Sequence, residues 1–299
     1  MSVRPEGLRS ATHRMLSAGQ RSEVWIAGVD GGPPTRLYHT DALLIEAPNW
    51  SVDGCSLLLN GNGLLWRLDL DDPAELHPIE FIGLPALNND HVLSADGRWI
   101  FMSAMDGHIY RGAPTGGEVV RVSCADGKWH FLHGVSPDAT YLAYVEIDAF
   151  DHPGRLVVAP ANAEPGTVID VGPGHVDGPE WSPDGQWIYV NTEAFTDVPG
   201  HAQLARVSQS TGEVQRLVTS RTVDWFPHLS PDGRFASYLA FPPGTRGHPA
   251  DLDVEVRLVR TDDCGTPVAR YPVFGGQGTL NVNSWSPDSD RFAFVGYPR

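Results

Sequence analysis

Histidine, carboxylate and amide side chains recur ahead of six regularly spaced serines, where they could form one polar site. Five places ahead of these serines stand Glu46, Asn89, Phe131, Asp177, Trp225 and Asn281. Three places ahead stand Pro48, His91, His133, Pro179, Pro227 and Asn283, and two places ahead stand Asn49, Val92, Gly134, Glu180, His228 and Ser284. A purely structural strand would favour apolar or β-branched residues at such positions. The polar residue types therefore indicate a binding site.

Imidazoles beside carboxylates support two kinds of chemistry: they bind divalent cations, and they transfer protons near neutral pH. We predict His91, His133 and His228 as metal ligands. We predict His133 or His228 as a general base, with Arg246 or a second histidine stabilising negative charge. Ligand contacts are predicted for Glu46, Asn89, Asp90, Asp177, Glu180, Asp224, His248, Gln277 and Asn281. In the alternative interpretation, each histidine binds the backbone of a neighbouring strand or lines a water-filled channel.

Three segments would place further groups near this site. Segments 192–201 and 242–251 are longer than a hairpin requires, and such loops commonly bind ligands. The glycines of segment 274–281 allow a backbone to approach a ligand closely, and Gln277 and Asn281 offer amides. The segment lacks the Lys-Ser/Thr pair of a phosphate-binding loop. In the alternative interpretation, the glycines of segment 274–281 only allow a tight crossing to the next structural unit.

The serines open a phrase that occurs six times, as in Ser182-Pro183-Asp184-Gly185, at spacings of 43, 42, 46, 48 and 56 residues. Proline presets φ, aspartate bonds to the local backbone and glycine accepts a positive φ, so the phrase predicts a tight hairpin. Alternating apolar stretches such as 187–190 and 291–295 follow the turns, as expected for strands. A repeat of this length is typical of one four-stranded sheet of a β-propeller.

The predicted fold class is all-β, a six-bladed β-propeller with four-stranded antiparallel blades. The last repeat holds only two strands, so strands near 22–27 and 35–38 are expected to complete its blade and close the ring. We predict an N-terminal extension over 1–21 and one propeller domain over 22–299. The predicted blades cover 43–78, 86–122, 128–170, 174–217, 222–272, and 279–299 together with 22–39.

Propeller geometry would bring these distant residues together. The first strand of each blade lines the central channel, and the loops that enter it share one face with the loops joining the second and third strands. The repeated turn lies on the opposite face. The polar positions of different repeats are therefore predicted to line one axial funnel.

The composition limits the partners. Acidic side chains number 37 against 21 basic ones, and the formal charge of −16 opposes binding to nucleic acid or anionic membranes. The three cysteines are odd in number and far apart, which indicates reduced thiols and no disulfide framework. The opening residues lack the apolar core of a signal peptide, and no apolar run approaches the length of a membrane span. We expect a cytoplasmic monomer.

The repeated phrases, together with the Asp-Gly-Gly turns, resemble the propeller of TolB-like proteins over nearly the whole chain. TolB itself is a periplasmic translocation protein with a second domain, and we expect this chain to lack that domain because few residues precede Ser22. Segments 88–91, 225–228 and 275–278 look like signatures of a compact subgroup without that domain.

The oligogalacturonate lyases are a more distant resemblance. They look similar in using funnel histidines and a glutamine to hold Mn²⁺ while a base abstracts a proton from a uronate. In this chain Gln277 is followed by Leu280 and Val282 where that family would have histidines.

Three functions stay open at this point. The first is a carbohydrate-directed lyase or hydrolase, the second is a noncatalytic binder of a sugar or another small polar ligand, and the third is a scaffold for a protein partner. A carbohydrate in the funnel is the favoured ligand. The cofactor is unknown, and a divalent metal (Mn²⁺, Zn²⁺ or Ca²⁺) is the candidate.

Overall fold

All regular structure in the described part of the chain is β-strand. The computed structural model describes residues 13–299, so the predicted extension over 1–21 lies partly outside the described residues. No helix occurs within 13–299, and hence none that is long and apolar enough to cross a membrane. The strands are β1 (Ser22–Gly28), β2 (Thr35–Thr40), β3 (Glu46–Trp50), β4 (Ser56–Gly61), β5 (Leu64–Asp69), β6 (Leu76–Ile79), β7 (Phe81–Ile82), β8 (Leu87–Leu93), β9 (Ile100–Ala104), β10 (Ile109–Gly112), β11 (Gly117–Glu118), β12 (Val120–Arg121), β13 (Trp129–Val135), β14 (Tyr141–Ile147), β15 (Arg155–Pro160), β16 (Thr167–Ile169), β17 (Val176–Trp181), β18 (Trp187–Thr192), β19 (Gln203–Ser208), β20 (Val214–Arg216), β21 (Val223–Leu229), β22 (Phe235–Phe241), β23 (Ala250–Arg260), β24 (Asp263–Gly276) and β25 (Arg291–Gly296).

Apart from β7 and β11, which form a short parallel pair, these strands form the six blades of a propeller, which confirms the predicted fold class. Five blades are four-stranded antiparallel sheets, in the orders β3-β4-β5-β6, β8-β9-β10-β12, β13-β14-β15-β16, β17-β18-β19-β20 and β21-β22-β23-β24. The sixth joins β25 to β1 and β2, with Glu23 opposite Gly296 and Gly28 opposite Arg291. The two ends of the chain thus share one sheet, as predicted, and the ring is closed.

The innermost strand of the sixth blade is less regular than the sequence indicates. The stretch 282–285 contributes one isolated bridge, between Trp285 and Phe292, in place of a strand. The Asn283 side chain accepts a bond from the Trp285 N–H (3.0 Å) and donates to Glu180 and to the Leu229 carbonyl (both 2.8 Å). These side-chain bonds, made partly to other blades, take the place of ladder pairing.

The repeated turns close as their residue types predict. Ser182 donates to the Asp184 carboxylate (2.6 Å) and accepts from the Trp187 N–H (3.0 Å), while Gly185 has a φ of 70°. Two repeats place Ala139 or Ser289 at the position that Gly185 occupies, with φ of 58° and 64°. The turn is therefore set mainly by its serine and aspartate.

A β-bulge interrupts the innermost strand of the five regular blades. The pairing register shifts in β3, β8, β13, β17 and β21 shortly before each strand ends. In three blades the residue four places before the serine has a positive φ: Ala47 (53°), Gly178 (59°) and Phe226 (57°). A bulge bends its strand and redirects the side chains around it. It thereby breaks simple alternation at the level of the axial site.

The apolar core lies between adjacent blades. Each interface buries large side chains, for example Trp225, Phe226 and Phe292 in one cluster and Leu57 and Leu59 in another. Full burial of such a side chain contributes roughly 1.5–3 kcal/mol. This packing holds the innermost strands side by side around the axis and fixes the residues at the funnel mouth.

Candidate functional site

A cavity of about 910 Å³ opens at one mouth of the central channel. Its walls come from blades 2 to 5 and from the crossing to blade 6. Eight of the predicted site residues line it: Asn89, Asp90, His133, Asp177, Arg246, His248, Gln277 and Asn281. The predicted loop 242–251 supplies Arg246 and His248, whereas loop 192–201 contributes only Glu193. The structure therefore brings together most of the predicted ligand contacts.

Asp177 is the centre of this site, since three imidazoles from different parts of the chain face its carboxylate. The Nε2 atoms lie 3.1 Å (His133), 3.5 Å (His175) and 3.7 Å (His248) from its oxygens. The Gly178 N–H also donates to Oδ1 (2.8 Å). Burial raises the pKa of Asp177, but the bonds from His133 and His175 outweigh it and hold the pKa well below its usual value. The carboxylate is therefore ionised at neutral pH.

His133 is held as an imidazolium. Its Nε2 faces Asp177, and its Nδ1 lies 3.2 Å from the carbonyl oxygen of Asn281, so both nitrogens meet acceptors. Burial lowers the pKa of His133, but the Asp90 and Asp177 carboxylates raise it to about 9. A ring with both N–H groups engaged has no lone pair for a proton. In this protonation state His133 cannot accept a proton, which argues against the predicted role of general base.

His248 has a ring nitrogen, Nε2, whose lone pair is free. Its Nδ1 bonds to Oε1 of Gln277, an acceptor, so Nδ1 carries the proton and Nε2 is bare. Burial lowers the pKa of His248 despite the nearby Asp177, which favours this neutral form. Its Nε2 and Oδ2 of Asp177, 3.7 Å apart, are both acceptors. A hydroxyl group of a ligand could donate a hydrogen bond to either atom.

His175 has the opposite tautomer. Its Nδ1 accepts a hydrogen bond from the Gly154 N–H (2.7 Å), so Nε2 carries a proton and points to Asp177. Burial lowers the pKa of His175, and Asp177 raises it by more, while the Gly154 donor opposes full protonation. The ring thus fixes Asp177 from the solvent side, where about a quarter of its side chain (26%) is exposed.

Asp90 and Asn89, in strand β8 of blade 2, form another part of the cavity wall. Burial and the nearby Asp177 raise the pKa of Asp90 to about 6, although the positive His133 works against this. Asn88 fixes the Asp90 carboxylate with a bond of 2.7 Å. The Nδ2 atom of Asn89 and the Nε1 atom of Trp225 are buried without a hydrogen-bond partner among residues 13–299. Both residues line the cavity, although these two nitrogen atoms are themselves buried.

Aromatic rings form a large part of the cavity wall. Trp129 and Phe150 lie with ring centroids 4.9 Å apart, and the Trp225 ring lies 4.6 Å from that of His248. Phe131 and Phe226 complete this wall. Phe150 is largely exposed (61%). The site therefore combines apolar ring faces with charged and polar groups.

The predicted metal site of His91, His133 and His228 is not formed. His91 is buried next to the Leu58 carbonyl (3.4 Å), and burial lowers its pKa to about 4. His228 is fully buried, between Glu180 (2.6 Å) and the Leu280 carbonyl (3.1 Å). In the cavity, within the described chain, no three His, Cys or carboxylate ligand atoms lie within 4.8 Å of one another. Two of the three histidines thus bind neighbouring blades, as in the alternative interpretation.

The predicted catalytic His228 and three predicted ligand contacts also lie outside the cavity wall. Glu180 accepts from His228, from the Leu229 N–H (2.7 Å) and from Asn283. It lines a smaller cavity of about 510 Å³ on the face of the repeated turns. Asp224 is fully buried, and its contacts are Ser220 (2.7 Å), Thr222 (2.8 Å) and Gln203 (3.1 Å). These groups connect blades.

Glu46 lies behind the cavity wall. Arg14 donates to Glu46 (3.3 Å), to the Gln277 carbonyl (2.7 Å) and to Asp251 (2.9 Å). Burial raises the pKa of Glu46 to about 7, although Arg14 lowers it. The segment that precedes β1 thus supports the loop that carries Gln277.

Several residues of the cavity were missed by the sequence analysis, notably His175, His152 and Phe150. His175 stands seven places before Ser182, beyond the three positions compared, although the glycines at 172 and 174 mark a loop that enters a strand. Phe150 and His152 lie in the short loop between β14 and β15, which has no unusual length.

Comparison with known proteins places this geometry among propellers. No family model matches the chain. An uncharacterised protein of Agrobacterium fabrum (strain C58) is 35% identical over 300 residues, covering 97% of this chain and 98% of that protein. A solved structure from Agrobacterium tumefaciens that carries a TolB name is similar with a TM-score of 0.84 and 34% identity, over 94% of this chain and 99% of that one.

More distant solved structures share the fold alone. TolB from Acinetobacter baumannii has a TM-score of 0.64 at 18% identity, covering 87% of this chain and 65% of that one. An oligogalacturonate lyase in complex with manganese has a TM-score of 0.55 at 14% identity, covering 90% of this chain and 77% of that one.

Proposed function

Because the chain belongs to the TolB-like β-propeller proteins, we propose that it uses its axial funnel to bind a polar small ligand, specifically a carbohydrate. The observation that carries this proposal is the convergence of three histidines on the buried Asp177 carboxylate, beside aromatic rings. The cavity volume of about 910 Å³ falls in the range of small-molecule sites, roughly 300–1,000 Å³.

Sugars fit this combination of surfaces. A sugar ring has an apolar C–H face that can stack on Trp129 and Phe150, and a rim of hydroxyls that both donate and accept hydrogen bonds. Acceptors are available at Asp177 and at Nε2 of His248. The polar groups would fix the orientation of the ring, as they do in other ligand sites.

The same groups could support proton transfer, which makes lyase or hydrolase activity the catalytic form of this proposal. His248 Nε2 is the candidate base, since it holds a free lone pair, and Asp90 is a candidate acid because its pKa of about 6 lies near neutrality. The His133 imidazolium and the Arg246 guanidinium would stabilise developing negative charge. The residues do not form the metal site predicted from sequence, so no step is assigned to a metal.

A thermal-shift and calorimetric screen of neutral and acidic oligosaccharides tests the proposal. We expect at least one sugar to bind the wild-type protein and to lose affinity in Asp177→Asn and His248→Gln. The matched control is His39→Gln, which changes an exposed histidine of β2. Binding that survives both cavity substitutions, or a screen without any sugar that binds, would contradict the carbohydrate proposal. Binding without turnover would support the noncatalytic form.

A further inference from the structure

A second group of potential ligand atoms lies outside the funnel, between the end of β12 and the start of β13. Cys124, Asp126 and His130 offer a thiol, a carboxylate and an imidazole, whose ligand atoms all lie within 4.8 Å of one another. The thiol lies 3.3 Å from one oxygen of Asp126, and Nε2 of His130 lies 3.3 Å from the other. The group belongs to the crossing from blade 2 to blade 3.

His130 is the unusual member of this group. Its side chain is completely buried, its Nδ1 has no hydrogen-bond partner among residues 13–299, and its Nε2 faces Asp126 at 3.3 Å without the geometry of a hydrogen bond. The ring packs on Tyr144, with centroids 4.8 Å apart, and this contact fixes its orientation. Leaving a buried polar atom without a partner is costly, and native structures rarely do so. Zinc holds nitrogen and oxygen ligands at about 2.0–2.2 Å in a tetrahedron, which sets neighbouring ligand atoms roughly 3.3 Å apart, so Nε2 of His130 and the Asp126 oxygen are spaced as two ligands of one ion would be.

We propose that Cys124, Asp126 and His130 bind one Zn²⁺ ion. Sulfur, imidazole nitrogen and carboxylate oxygen are the ligands that zinc takes in proteins. Thiolate and carboxylate together balance the double positive charge of the ion. Binding would replace the thiol proton of Cys124, which leaves to solvent.

Glu146 completes the surroundings of the site. One of its oxygens accepts from Lys128 (2.7 Å) and Arg155 (2.8 Å). The other faces Nε2 of His130 at 3.9 Å. This second oxygen, or a water molecule, would supply the fourth position of a tetrahedral site. The ion would then tie the Cys124 loop to the innermost strand of blade 3, which carries Trp129 and Phe131 of the funnel wall.

Cobalt substitution tests this proposal spectroscopically. Protein stripped with a chelator is titrated with Co²⁺, and a thiolate-to-cobalt charge-transfer band that saturates at one equivalent and disappears on addition of Zn²⁺ is expected. Cys124→Ser should abolish the band, and His130→Gln should weaken Zn²⁺ binding by more than the roughly 10–100-fold typical of changes next to a metal ligand. Cys55→Ser, which changes the exposed thiol, should leave the titration unchanged.

A second measurement uses the wild-type protein alone and does not depend on how the variants fold. Zn²⁺ should protect Cys124 from alkylation by iodoacetamide, while the exposed Cys55 reacts at an unchanged rate in the same sample, as followed by peptide mass spectrometry. Equal protection of the two cysteines, no protection of Cys124, or a cobalt band that persists in Cys124→Ser would overturn the proposal.

Discussion

Asp177→Asn removes the carboxylate charge at the centre of the funnel site. The pKa of His133 should fall as a result. The pKa of His133 is raised from 6.5 to about 9, which at about 1.4 kcal/mol per pH unit corresponds to about 3 kcal/mol of net stabilisation of its charged form. Burial opposes this rise. Without the Asp177 charge, Asp90 alone offsets burial, so we expect the pKa of His133 to fall to near or below 7.

The sign of the pH dependence follows from linkage. A histidine whose pKa is higher in the folded than in the unfolded state contributes stability that is fully present below pH 6.5 and is lost as pH rises through about 9. Asp177→Asn should therefore lower the free energy of unfolding by an amount on the order of 3 kcal/mol at pH 6. The deficit relative to wild type should shrink as the pH approaches 9.

Two assays check this reasoning. Long-range ¹⁵N NMR of the imidazole nitrogens shows whether His133 is protonated at both positions, and urea denaturation at several pH values gives the stability. Asp197→Asn is the matched control, because it makes the same charge change at an exposed position of blade 4. A doubly protonated His133 at pH 8 in Asp177→Asn would refute the assignment of its charge to Asp177.

Three further predictions concern neighbouring features. The raised pKa of the buried Glu46 carboxyl makes its contribution to stability fall as pH rises from 4.5 to about 7, so Glu46→Gln should flatten the plot of melting temperature against pH in that window. Ala139→Gly, at a φ of 58°, should stabilise the protein by up to ~1 kcal/mol in urea denaturation, whereas Gly185→Ala, at 70°, should destabilise it by ~1 kcal/mol or more. Phe150→Ser should leave the melting temperature nearly unchanged but weaken sugar binding by about two- to tenfold in calorimetry, since one aromatic contact is worth ~0.5–1.5 kcal/mol; unaltered affinity would remove Phe150 from the site.

The fold could be predicted because the residues of each repeated turn determine the shape of that turn by themselves. In Ser182-Pro183-Asp184-Gly185, local bonds alone determine the hairpin, so no distant contact has to be known. Six copies at regular spacing then leave few architectures. The stretch 282–285 deviated from its expected strand because Asn283 bonds to Glu180 and Leu229, which are distant in sequence. A repeat consensus carries no information about such contacts.

The site could be predicted only in part, because side-chain direction depends on the bulges. Counting five places back from each serine found cavity residues such as Asn89, Asp177 and Asn281. The positions two and three places back gave His91 and His228, which face neighbouring blades, as well as His133, which reaches the cavity. Residue type could not separate these cases, since all three are buried histidines. The direction in which each histidine points depends on register shifts and local strain in its strand, and neither can be recognised from the sequence.

The polar groups of the funnel leave more hydrogen-bonding capacity unused than Glu180 and His228, which connect blades. A structural histidine such as His228 has both nitrogens paired, and Glu180 likewise has three partners, so burial costs them little. In the funnel, by contrast, the Nε2 lone pair of His248 faces another acceptor, and the donors of Asn89 and Trp225 have no partner within residues 13–299. Each unpaired buried group costs ~1–3 kcal/mol. A ligand that donated a hydrogen bond between Nε2 of His248 and Oδ2 of Asp177 would relieve the contact of these two acceptors, so its binding should raise the stability of the blades that carry them.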